Sequence, residues 1–235
     1  MKIVVINPNT SESMTAHLRR ELETVRGATT ELIVVNPEHG PVSIESAYDE
    51  AYAIPPTLEL VKRAEEEGAD AVVLACFSDP GLEAAREAVS IPVIGLEEST
   101  LHVAATLGHR FTILTSFRQR VPSKIDHVHM RGLGSRLASI RPLEMSVLEM
   151  DSEPTRTKER ILVTATAAVR EDGAEVIILG CAGLAGYAPD VEAALGVVVL
   201  DPSPIALKTA ELMVELKLRQ SKHGLYATPP AKTFK

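Results

Sequence analysis

The sequence predicts an α/β protein of two pseudo-symmetric lobes, each a four-stranded parallel sheet flanked by helices. Three observations lead there. Short β-branched runs alternate with amphipathic stretches, most of those runs are apolar at successive positions, and one segment recurs 105 residues later, at 76 and 181. Alternation of this kind marks an α/β fold. Strands that are apolar throughout suit a parallel sheet covered on both faces.

Strands are expected, in order, at residues 3–6, 32–35, 71–75, 92–96, 111–115, 137–140, 175–180 and 197–200. Met14, Leu18, Leu22 and Val25 fall on one helical stripe, as do Ile161, Ala165, Ala168 and Val169, and residues 206–218 form a third amphipathic run. Asn9 or Thr10 is expected to cap the first helix. Asp79-Pro80 reads as a cap followed by proline at the first helical position. Gly68 and Gly173 are expected to close two helices just before strands. After Leu218 the chain turns polar, and residues 221–235, with Pro229-Pro230, read as an irregular tail.

The repeat sets Glu67-Gly68-Ala69-Asp70-Ala71-Val72-Val73-Leu74-Ala75-Cys76 without gaps on Asp172-Gly173-Ala174-Glu175-Val176-Ile177-Ile178-Leu179-Gly180-Cys181. Both cysteines of the chain therefore occupy equivalent positions. The same offset places Val93-Ile94 on Val198-Val199, and a nearby one places Ile3-Val4-Val5 on Phe111-Thr112-Ile113. The expected division is a first lobe of residues 1–100 joined by 203–220, and a second lobe of residues 101–202.

The 235 residues are 45% hydrophobic and 24% charged, with a formal charge of −8, which is a globular rather than a disordered composition. No apolar run reaches the roughly 18 residues of a membrane span, and Met1-Lys2 leads straight into a strand-like block without a signal-peptide core. A cytoplasmic protein without a membrane partner is expected. The acidic balance, lacking a basic patch interleaved with aromatics, speaks against nucleic acid. Two cysteines in a reducing compartment are expected as free thiols.

In parallel sheets, ligands bind outside the carboxyl ends of strands. Cys76 and Cys181 are both expected at such ends, so a planar carbon could lie between two thiols. That arrangement suits cofactor-free racemisation, in which one thiolate removes a proton beside a carbonyl and a thiol on the other face returns one. An ordinary thiol, with a pKa of about 8.5, is mostly protonated near neutrality. The helix start after Asp79-Pro80 and the small residues of Gly180-Cys181-Ala182-Gly183 are the local features expected to favour the thiolate. The alternative is a pair of buried structural cysteines.

Asn7-Pro8-Asn9-Thr10-Ser11, Gly40-Pro41-Val42-Ser43-Ile44-Glu45-Ser46, Tyr48-Asp49-Glu50-Ala51, Cys76-Phe77-Ser78-Asp79-Pro80-Gly81 and Leu179-Gly180-Cys181-Ala182-Gly183-Leu184 resemble the hydantoin racemase family of the aspartate/glutamate racemase superfamily. The resemblance runs from about residue 1 to 220. It implies a two-base racemase of 5-substituted hydantoins or allantoin that uses no cofactor, with Cys76 and Cys181 as the catalytic thiols and a homo-oligomeric state. A neutral cyclic amide fits the polar residues near the strand ends. Asn7, Asn9, Ser43, Ser78, Thr115 and Ser116, with backbone at Ala182 and Gly183, can bind its carbonyls and ring N–H groups without a counter-charge. Asn7, Asn9, Thr10 and Ser11 are equally readable as turn and cap residues, and Tyr48 either covers the substrate side chain or packs on its loop. Glu97 and Asp201 stand near matching strand ends as caps or polarising groups. His127 and His129 lack a third ligand and read as a solvated loop rather than a metal site. No nucleotide or nucleophile-elbow motif is present, so neither metal nor organic cofactor is expected. The alternatives are an aspartate- or glutamate-type racemase, a maleate isomerase or arylmalonate decarboxylase of the same fold, and a non-catalytic small-molecule-binding module.

Overall fold

The computed structural model describes residues 1–232. Its strands are β1 (Lys2–Ile6), β2 (Glu31–Val35), β3 (Ala71–Leu74), β4 (Val93–Gly95), β5 (Phe111–Thr115), β6 (Leu137–Pro142), β7 (Val176–Leu179) and β8 (Val198–Leu200). They form two parallel sheets of the same order, β2-β1-β3-β4 and β6-β5-β7-β8. All eight expected strands are present, with ends that differ by a residue or two. The expected strand over 92–96 stops at Gly95 because Leu96 already opens a helix.

Successive side chains of a strand point to opposite faces, and this parity sorts the core. Ile3 and Val5 of β1, with Ala71 and Val73 of β3, share one cluster with Phe111 and Ile113 of β5 and Val176 and Ile178 of β7. The intervening residues go elsewhere. Val4, Ile6, Val72 and Leu74 pack on the other face of the first sheet, and Leu114, Ile177 and Leu179 on that of the second. Burial of each such side chain contributes roughly 1.5–3 kcal/mol, so continuous apolar runs are what these inner strands require.

The helices are α1 (Glu12–Val25), α2 (Ala47–Glu66), α3 (Leu82–Ala88), α4 (Leu96–Leu107), α5 (Val121–Met130), α6 (Val147–Ser152), α7 (Pro154–Asp172), α8 (Ala188–Leu195) and α9 (Pro202–Glu215). Helix α1 buries Met14, Leu18 and Leu22, and α7 buries Ile161, Ala165 and Ala168, the stripes read from the sequence. Gly68 and Gly173 follow α2 and α7 in the left-handed region, with φ of +79° and +69°. Helix α9 packs against α4, α1 and β3.

Several local readings are corrected. Ser11, not Asn9 or Thr10, caps α1, its Oγ accepting the Met14 N–H at 3.3 Å. Asn9 sits two residues too early, and its Oδ1 accepts the Ser11 N–H instead. Asp79 does not cap the helix that follows it. The chain makes a further turn, Asp79 takes a φ of +48°, and Gly81 becomes the residue before α3. The Asp79 carboxylate reaches across to α4, accepting N–H groups of Glu97 at 2.9 Å and Glu98 at 2.8 Å. That reach depends on Gly95, where a Cβ would lie 2.4 Å from the Asp79 carboxyl carbon. His127 and His129 stand on α5 rather than in a loop. Helix α2, the helix Gly68 was expected to close, runs through Pro55-Pro56 in its middle although they remove two helical N–H donors.

Residues 221–232 carry no helix or strand but are tied down, Lys222 donating to the carbonyls of Arg86 and Val89 and Tyr226 meeting Arg86. The expected tail also includes 233–235, which lie outside the described residues.

Candidate active site

The carboxyl ends of β1, β3, β5 and β7, the inner strands of both sheets, contribute to one open pocket with an empty volume of about 530 Å³. In each sheet the crossovers from the two inner strands run to opposite edges, β1 to β2 and β3 to β4, β5 to β6 and β7 to β8, so the loops diverge between them and leave room for a ligand. Cys76 and Cys181 both line it and both are free thiols. Asn7, Ser78, Thr115, Ser116 and Ala182 line it as well. Gly183 borders an adjoining recess with Met14 and His17. Ser43 is not part of the lining; its neighbour Ile44 is.

Local geometry differs among these residues. Asn7 is spent on its own turn, its Nδ2 donating to Asn9 Oδ1 at 2.9 Å and Thr15 Oγ1 at 3.0 Å. Thr115 and Ser116 are buried, and their hydroxyls make no hydrogen bond among the described residues. Ser78 Oγ lies 3.5 Å from Cys76 Sγ. Tyr48 projects into solvent, 71% exposed, against Tyr52. Asp201 caps α9 through the Ser203 N–H.

Burial pushes the Cys76 thiol up to about 12, reinforced by Cys181 and Glu50, while Ser78 and Lys124 pull the other way. Cys181 is raised too, chiefly by burial, against the Gly183 N–H and Lys124. The helix dipole expected beside Cys76 is not the favouring influence, because α3 starts only at Leu82. The cation acting on both thiols is Lys124, which sequence reasoning missed. It lies on α5, 3% exposed at its side chain, with Nζ 3.1 Å from Glu97 Oε1 and 4.9 Å from the Phe77 ring centre. Glu97 is fully buried and also meets His127 Nδ1 at 2.6 Å. Burial opposes ionisation of Glu97, yet Lys124 and His127 together hold its carboxyl below the usual carboxylate range. Arg120, paired with Glu50, is a second missed cation of the lining. One signal was available: a lysine on the apolar stripe of α5 with Val128.

Among the described residues no helix is long and apolar enough to cross a membrane. Residues 3–210 match the family model described as Asp/Glu/Hydantoin racemase. A hydantoin racemase of Pseudomonas sp. (strain NS671) is 41% identical over 234 residues, covering 100% of this chain and 94% of the relative. The allantoin racemase structure from Klebsiella pneumoniae superposes with a TM-score of 0.97 at 36% identity, covering 100% of this chain and 96% of the other. That from Pseudomonas fluorescens gives 0.95 at 34% identity, with 100% of both chains covered. With two free thiols beside one pocket at the strand ends of this fold, the chain belongs to the Asp/Glu/hydantoin racemase family and is an isomerase.

Proposed function

We propose that the chain racemises 5-monosubstituted hydantoins or allantoin by a two-base mechanism on Cys76 and Cys181, without a cofactor. One observation carries this reading: the chain's two cysteines occupy equivalent places in the two halves and line the same pocket. One thiolate takes the proton from the carbon beside the ring carbonyl, forming an S–H bond as the C–H bond breaks. The electron pair moves onto the carbonyl oxygen, leaving a planar carbon. The opposite thiol then gives up its proton to that carbon, and the second sulfur carries the charge. Configuration is inverted.

The unspent hydroxyls of Thr115 and Ser116 and the amide of Asn9 suit the carbonyls and N–H groups of a neutral ring. Asn7 serves by holding Asn9. A free amino acid would need a cation for its carboxylate. Arg120 faces Glu50, and Lys124 is buried on Glu97 beside the two thiols, so neither is left over for a substrate carboxylate and a neutral ring is the better match. Free thiols suit a reducing compartment such as the cytoplasm, and a homo-oligomer is part of the same reading.

The test is α-hydrogen exchange in deuterated water, with chiral analysis, on a 5-substituted hydantoin, allantoin, aspartate and glutamate. Labelling with loss of optical activity is expected for a cyclic amide alone. Turnover confined to the amino acids, or none, overturns the reading.

A further inference from the structure

We propose that Lys124 is a positioning residue that serves as the shared counter-charge of both active-site thiolates, held in place by Glu97. The inference rests on the two-thiol reading above and deepens it. During one turnover, negative charge starts on one sulfur, passes through the substrate carbonyl and ends on the other sulfur. A pocket that encloses this charge in poorly hydrating protein penalises it at every stage. A single fixed cation beside the whole path offsets that penalty for both directions of reaction.

Lys124 has the required placement. It lines the pocket with both sulfurs, is almost fully buried, and is anchored by Glu97 Oε1 and the face of Phe77, the residue after Cys76. Its ammonium has three donors and only one hydrogen bond among the described residues, to Glu97. The helix at the corresponding place in the first half, α1, brings Met14 to the pocket, so the charge is supplied from one side only. Two carboxylates act against Lys124: Glu50, which pairs with Arg120, at Cys76 and Glu45, which accepts the Val147 N–H, at Cys181. Asp79 pairs with Arg131, and His127 shares Glu97. Burial raises both thiols, and Lys124 opposes it at each.

The experiment compares wild type with Lys124→Met, Lys124→Arg and the double variant Lys124→Met/Glu97→Gln, each checked for folding by circular dichroism. Two quantities are followed against pH: iodoacetamide alkylation of each cysteine, resolved by peptide mass spectrometry, and kcat/KM for hydantoin racemisation in both directions. Lys124→Met is expected to move the alkylation profiles of both cysteines to higher pH and to lower kcat/KM near neutrality by roughly 10- to 100-fold in both directions. Lys124→Arg should restore most of the activity. If Lys124→Met does not fold, the double variant, which leaves no unpaired Glu97 charge, is read by the same profiles. Unmoved profiles in a folded variant, or a shift at one cysteine alone, overturn the proposal. Failure of wild type to racemise any cyclic amide overturns the functional reading instead, and alkylation still measures the coupling to Lys124 separately.

Discussion

Ala75 and Gly180 stand at the same place in the two halves, one residue before each cysteine. Each donates its N–H across to the neighbouring inner strand, Ala75 to the Ile6 carbonyl and Gly180 to that of Leu114, both at 2.8 Å. Asp70 and Glu175, five residues earlier, repeat the correspondence with bonds to the Lys2 and Arg110 carbonyls. Three residues beyond each cysteine the halves part. Asp79 is an anion that caps α4 and pairs with Arg131, whereas Leu184 is fully buried in the apolar core. Helix α5 brings a lysine to the pocket where α1 brings a methionine. The comparison teaches that backbone pairing, which delivers the thiols, follows the repeat, while the charges around them do not.

The largest effect expected from breaking the symmetry is catalytic. Cys76→Ser and Cys181→Ser should each lose racemisation by about 10³-fold or more, since serine is a poor acid and no base near neutrality. Each should still exchange the α-hydrogen of one enantiomer through its remaining thiol, with opposite preferences. Deuterium incorporation measured on the separated enantiomers checks this, and equal preferences in the two variants would refute opposed thiols.

The next contrast is structural. Leu184→Ala should cost about 2–5 kcal/mol by opening a cavity in the second half. Asp79→Ala, at the equivalent position, should cost about 1–2 kcal/mol by loss of the α4 cap. Urea titration of both variants measures the difference, and equal losses would mean that the two positions have not diverged as described.

Between them falls Gly180→Ala, whose Cβ would lie 2.4 Å from the Leu114 carbonyl oxygen. The strand end must shift, at about 1–3 kcal/mol, and Cys181 shifts with it, so kcat should fall as well as stability. Ala75→Gly in the first half should cost only about 0.5–1 kcal/mol. Thermal melts and racemisation rates of the pair would sharpen the comparison.

The smallest expected effect concerns pH. Burial, then the nearby Glu97, lifts the Asp79 carboxyl to about 6, against Arg131 and the Glu97 and Glu98 N–H groups. A carboxyl raised on folding stabilises fully below its unfolded value near 3.8, and that stabilisation fades as pH climbs through about 6. Asp79→Asn does not titrate. Its stability relative to wild type should therefore improve between pH 4 and 7, and a deficit that grows over this range would contradict the assignment.

Much of this molecule was legible in its linear pattern because backbone hydrogen bonding and burial on two faces leave a local imprint. Eight apolar runs, the Gly68 and Gly173 helix ends, and the gap-free repeat ending in Cys76 and Cys181 are consequences of neighbours in the chain. The same local logic pointed to Thr115 and Ser116, which close a strand. It placed Ser43 one residue from the lining position that Ile44 holds, since a loop has no fixed period from which to read direction.

What the sequence by itself determined is therefore the order of the strands, the two parallel sheets and the equivalence of the thiols. Only the tertiary structure decided which charges surround them. Asp79 leaves the helix it precedes and caps one that starts at Leu96, while Lys124, Glu97 and Phe77 meet from three separate segments. Burial removes water from these groups, and each then takes whatever partner lies closest in space. That partner is set by how α4, α5 and the loop after β3 pack, and nothing in the spacing of residues along the chain records it.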